Sequence, residues 1–277
     1  MPCGCAWKTS AHDAQDQGAV RASVLVCQHV RLNCMSSVAS GSGLPLDRRP
    51  TASFFFVAHL VLLLFVFGGF AHTFYLRPLF SARPLPVVLH VHGAVLTLWF
   101  LLPVLQGWLA LSRRLRLHRR LGYAIAGFAA LVVVMGLIAD ARLASEITSA
   151  ADPENIVVWG NLFTLVLFAV LVCLAVVFRK RPEAHKRLIL LASFSIVGPA
   201  LARFADWPVS PGGIDARPIY GIGGLLLLFS SLIVHDLIVR RRPHPASWMG
   251  AVAIVVGLAV GVFLGVSGEG FRILHGG

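Results

Sequence analysis

The stretch LHVHGAVLTLWFLLPVLQGWLALSRRLRLHRRLG, Leu89 to Gly122, decides how the rest of this chain is read. It sets His90 and His92 at one end of a long apolar run, follows that run with a block of arginines, and opens the next apolar run with His118. An α-helix needs about 20 apolar residues to cross a hydrocarbon core about 30 Å thick. Read this way, the imidazoles stand at both faces of a bilayer.

The composition agrees. The chain of 277 residues is 57% hydrophobic and 13% charged, against about 25% charged in soluble domains. Apolar runs of spanning length recur at about 53–75, 86–111, 121–139, 156–178, 188–204, 219–239 and 247–266. They predict an all-α, polytopic membrane bundle of seven transmembrane helices in residues 51–277. Residues 1–50 lack a sustained apolar period and are rich in Ser, Ala, Gly and Gln, so a disordered tail is expected there. Met35 is an alternative start. Of the five cysteines only Cys173 lies in a span, and no CxxC pair is present, so neither a disulfide framework nor a zinc site is expected.

The net charge of +12 is explained by topology. With seven spans, one face collects Arg48, Arg49, Arg113, Arg114, Arg116, Arg119, Arg120, Arg179, Lys180, Arg181, Lys186, Arg187 and Arg240 to Arg242. The other mixes fewer arginines with most of the carboxylates. Basic loops stay on the cytoplasmic side, which puts the N-terminus inside. No basic residues are left over to suggest a nucleic-acid partner; the expected surroundings are lipid.

A repeat follows from the same loops. Arg113-Arg114 and His118-Arg119-Arg120-Leu121 match Lys180-Arg181 and His185-Lys186-Arg187-Leu188 at a constant offset, which also aligns His92-Gly93 with Trp159-Gly160 and Thr97 with Thr164. Spans two and three therefore read as a helical hairpin, and spans four and five as its copy, in the same orientation.

Histidines carry the candidate chemistry. His72, His90 and His92 share the outer level, while His118 and His185 open spans three and five at the inner face. Neutral imidazole ligates haem iron, and two histidines from neighbouring helices at equal depth make a bis-histidine site. The candidate pairs are His72 with His92 or His90, and His118 with His185. The competing reading is an interfacial polar cap. Gln106 and Asn161 are expected to bond between helices. Asp236 needs a partner from the basic loops, with a proton relay through His235 as a second role. Arg203 and Asp206 are expected to pair across a turn, and Pro103 and Pro199 to bend their helices.

The set His90-x-His92-Gly93, Gln106, His118-Arg119-Arg120-x-Gly122, His185-Lys186-Arg187-Leu188 and Arg242-Pro243-His244-Pro245 resembles a group of bacterial multi-pass inner-membrane proteins, from about Phe54 to the C-terminus. The likeness implies the cytoplasmic membrane of a bacterium and brings no activity. Histidines near both faces also resemble, by analogy, the cytochrome b561 type, whose four central helices carry two histidine pairs. This chain departs from that pattern where Trp159 stands in the position at which His92 should recur. The analogy implies a b-type haem protein exchanging electrons with a quinone. The alternatives from other classes are a small-molecule transporter and a membrane scaffold.

Overall fold

The computed structural model describes residues 49–82, 84–207 and 216–276; the expected N-terminal tail, with Met35, lies outside the described residues. Helix α1 (Arg49–Phe70) continues into a π-helical turn, Ala71–Tyr75, and a single turn Arg77–Phe80 follows. The long helices are then α2 (Val87–Leu111), α3 (Leu115–Glu146), α4 (Glu154–Val177) and α5 (Pro182–Ile196). They are followed by the short α6 (Gly198–Ala202), then α7 (Arg217–Arg240), α8 (Pro245–Ser267) and the terminal α9 (Glu269–His275). No strand occurs among the described residues. Among the described residues six helices are long and apolar enough to span a membrane, and α5 with the segment Gly198–Asp206 is a bent pair, at 48°, that brings the number to seven where it crosses as one span.

That pair breaks where the sequence demands it. Pro199 has no N–H to continue the helical ladder, and the Val197 carbonyl takes the Ala200 and Leu201 amides at 2.9 and 3.2 Å instead. By contrast α2 runs through Pro103 without interruption. Helix α3 is longer at both ends than the expected 121–139, running from Leu115 to Glu146. Arginine and glutamate are good helix formers, so the helix continues beyond the apolar run.

The two hairpins keep the register of the repeat. Helices α2 and α4 begin 67 residues apart, at Val87 and Glu154, and so do α3 and α5, at Leu115 and Pro182. Equivalent threonines make equivalent bonds: Thr97 donates to the Gly93 carbonyl at 2.7 Å, and Thr164 to the Gly160 carbonyl at 3.0 Å.

Helix α5 is the centre of the bundle. Arg187, Leu188 and every residue from Leu190 to Ser195 are buried, and a helix covered on all sides lies inside its neighbours rather than against lipid. Around it Trp99, Val132, Phe168, Leu62, Leu232 and Ile254 complete the core. Lipid-facing positions carry the exposed apolar side chains, such as Leu64, Leu227, Ile238 and Phe263.

Helix α8 docks on α4 through glycines. A Cβ on Gly261 would lie 2.8 Å from the Gly160 Cα, and one on Gly265 2.6 Å from the Ile156 Cα. The spacing 257, 261, 265 is a small-xxx-small ladder, which lets two membrane helices approach backbone to backbone.

Candidate functional site

Helix α5 begins at the basic end of the bundle and brings two groups of side chains there. The first is ionic. Arg187 and Asp236 of α7 are both fully buried and form a two-pronged ion pair. The Arg187 Nε lies 3.0 Å from Asp236 Oδ1, and Nη2 donates to the same oxygen. Asp236 Oδ2 accepts from the Ser247 hydroxyl at 2.6 Å and from the His244 main-chain N–H at 3.0 Å. On its far side Arg187 Nη1 donates to Glu183, at 2.7 Å to the carbonyl and 2.8 Å to the carboxylate. Lys186 also holds Glu183, at 2.7 Å. The partner expected for Asp236 is therefore Arg187. The cluster ties α5, α7 and the start of α8 together with the lone pairs of Asp236 well satisfied, as a buried charge requires.

His235, next to Asp236, serves differently. Its ring stacks on Phe54 at 3.9 Å and meets Phe55 edge-on at 5.5 Å. Its Nδ1 is 3.6 Å from Asp236 Oδ1, beyond hydrogen-bond distance, and neither ring nitrogen has a hydrogen-bond partner. His59 is buried nearby, its Nδ1 2.7 Å from the Phe55 carbonyl. His244 caps α8, its Nδ1 accepting the Ala246 N–H at 3.0 Å. Burial first, with the Arg187 and Arg240 charges, holds its imidazole below the usual histidine range.

The second group is the imidazoles opening α3 and α5. His185 Nδ1 lies 2.8 Å from the Ala175 carbonyl, and His118 Nδ1 3.2 Å from the Gln106 carbonyl. Each ring thus bonds back to the preceding helix of its own hairpin. A carbonyl only accepts, so at His185 the bond keeps the proton on Nδ1 and leaves Nε2 as the free lone pair. His118 shares its contact with the Gln106 side chain. When that amide gives its oxygen to the Gly122 N–H at 3.3 Å, its nitrogen donates to the His118 carbonyl and to His118 Nδ1, which is then the acceptor, with the ring proton on Nε2. Gln106 therefore joins α2 to α3, and Asn161 joins α4 to α3 by donating to Asp140 at 3.1 Å.

At the opposite end the expected histidines are dispersed. His92 Nδ1 donates to the Met135 carbonyl of α3 at 3.0 Å. His90 Nδ1 is 3.3 Å from the Pro86 carbonyl of its own helix. His72 lies in the π-helical turn with its ring 4.2 Å from Phe80. None of these contacts joins His72 to His92 or His90.

The same end corrects one expectation and adds residues the sequence did not single out. Asp206 pairs with Arg217 at 3.0 Å rather than with Arg203. Arg203 donates to the Pro199 carbonyl at 2.9 Å and lies 4.6 Å over the Phe70 ring. Tyr75 reaches Thr97 at 2.6 Å; since the Thr97 proton goes to Gly93, Tyr75 is the donor. Among the described residues no cluster of three or more His, Cys, Asp or Glu could hold a metal ion. No family model, curated protein or solved structure matches the chain.

Proposed function

We propose that this integral membrane protein is a bacterial inner-membrane redox protein whose His118 and His185 are the axial ligands of a b-type haem, exchanging electrons with a membrane quinone. One observation carries the reading: two imidazoles stand at equivalent positions of the two hairpins, each with its Nδ1 at a main-chain carbonyl of the preceding helix. At His185 that bond orients the ring, keeps the proton on Nδ1 and makes Nε2 a better ligand, as second-shell partners of ligating histidines do; His118 offers the same nitrogen once its Nδ1 proton goes to the Gln106 carbonyl and the Gln106 amide turns away from it. Bound there, haem supplies one-electron chemistry. The chain's own contribution is orientation: Gln106 and Ala175 hold the rings from α2 and α4, and central α5 keeps lipid and water from one side.

The alternative from another class, small-molecule transport, has its own support in the 48° break of α5 and α6, since broken membrane helices line transport sites. An absorption spectrum of protein purified from haem-replete cells separates the two. The redox reading expects a Soret band that shifts on dithionite reduction and is lost in His118→Ala and in His185→Ala. A colourless preparation, or colour retained in both variants, refutes it.

A further inference from the structure

Among the described residues two carboxylates are buried in the helices, Asp236 and Asp140, and they are held in opposite ways. Asp236 takes donors on both oxygens, from Arg187, Ser247 and the His244 amide. Asp140, near the end of α3 opposite the basic loops, has one donor. Its Oδ1 accepts from the Asn161 side chain of α4 at 3.1 Å, while its Oδ2 is buried with no hydrogen-bond partner. The residue is only 9% exposed.

No cation makes up the difference. The arginine nearest in sequence, Arg142, pairs with Glu146 at 3.7 Å, and among the described residues no Lys, Arg or His is in ion-pair contact with Asp140. Helices α2 and α4 pack against α3. From α2, His92 commits its Nδ1 to the Met135 carbonyl and His90 bonds within its own helix. From α4, Glu154 in the first turn would repel a carboxylate, and Thr164 gives its hydroxyl proton to the Gly160 and Asn161 carbonyls.

An ionised Asp140 would therefore hold its charge in a low-dielectric site with one neutral amide for support, which is expensive inside a membrane. The acid form removes the charge and keeps the bond it has. Oδ1 is then the carbonyl oxygen that accepts from Asn161, and Oδ2 carries the proton. We propose that Asp140 with Asn161 is a proton-binding site, a carboxylic acid at neutral pH that takes its proton from water at that end of the bundle and returns it there. Glu146, which ends α3, lies about 9 Å further along the helix axis, so the path to water is short. Carboxyls within membrane helices that load and release protons serve as relays in pumps and transporters. The site is separate from the His118 and His185 pair, and none of its readouts involves haem.

The test uses the full-length protein in a neutral detergent. Infrared difference spectra across a pH titration report the C=O stretch of a protonated carboxyl, however deeply it is buried. The parent should show such a band at neutral pH and lose it in alkali, and Asp140→Asn should lack it. Asn161→Leu removes the one donor that favours the ionised form, so it should hold the band to higher pH. Dicyclohexylcarbodiimide, which adds to the protonated acid, gives the address. The carboxyl proton passes to a carbodiimide nitrogen, the carboxyl oxygen bonds to the central carbon, and the acyl group then moves from oxygen to nitrogen to leave a stable N-acylurea. Peptide mass mapping after treatment at neutral pH should find the adduct on Asp140 and not on Asp236, with a yield that falls about tenfold for each pH unit above half-titration. If Asp140→Asn does not fold, the band shift in Asn161→Leu and the mapped adduct still decide. A parent without a titrating carboxyl band, a band unchanged in Asp140→Asn or unmoved in Asn161→Leu, or an adduct on Asp236 as readily as on Asp140 overturns the proposal.

Discussion

Replacing Asp236 by leucine removes the carboxylate on which three helices converge, and its cost follows from what stays behind. Arg187 is left fully buried, with only Glu183 from its own helix as counterion. Removing one partner of a buried pair costs about 3–5 kcal/mol, and the surviving Glu183 contact puts Asp236→Leu near the lower figure. Arg187→Met leaves Asp236 with Ser247, the His244 amide and, at 3.6 Å, the His235 ring, but no arginine, and should cost about 4 kcal/mol. At about 2–4 °C per kcal/mol for a domain of this size, each variant should melt about 6–16 °C lower. The double variant is different in kind, because a well-packed apolar pair in place of a buried ion pair is often neutral or stabilising. It should melt close to the parent. Scanning fluorimetry of the four proteins in one detergent closes the cycle. Additive losses, or a double variant worse than either single one, would refute the view that the two charges matter chiefly to each other.

Two further outcomes are expected. Gly261→Ala places a methyl against the Gly160 backbone, which cannot yield, whereas Gly257→Ala meets only the tip of Leu167. The first should lose about 1–3 kcal/mol and the second well under that, read as a difference in melting temperature; equal losses would dissolve the backbone-contact account. For His244 the folded state lowers the imidazole pKa, so its contribution to stability is present above the ordinary histidine value of 6.5 and is lost as pH falls through the lowered one. The parent should therefore lose stability on acidification from neutral pH more steeply than His244→Asn, which still offers an N-cap oxygen. Identical slopes would show that His244 is not the titrating group.

Much of this architecture was legible in the chain because lipid imposes simple rules. The apolar runs located the six long spanning helices and the bent pair. The histidine register anticipated hairpins whose helices begin at one offset. The need to neutralise Asp236 and the interhelical role of Asn161 also followed from the cost of polar groups in hydrocarbon. What escaped the sequence depends on rotation about helix axes. Arg120 and Arg187 occupy equivalent positions of the two hairpins, yet Arg120 is exposed and Arg187 is fully buried, because only the second hairpin faces α7. His72 sits in a π turn, whose wider winding changes its angular register and sets its ring on Phe80. The four-residue glycine spacing of α8 was a readable signal that the charged residues overshadowed.

The buried arginine also has a history within each molecule's synthesis. Asp236 lies 49 residues after Arg187, so at about 5–20 residues per second the ribosome makes α5 roughly 2–10 s before its permanent counterion. During that interval Glu183, one turn earlier on the same helix, is the carboxylate at hand. A nascent α5 thus carries one carboxylate for the charge on its own helix, and the buried pair can close only once α7 has been made. The last helices to be made are the ones that let the middle of the protein close.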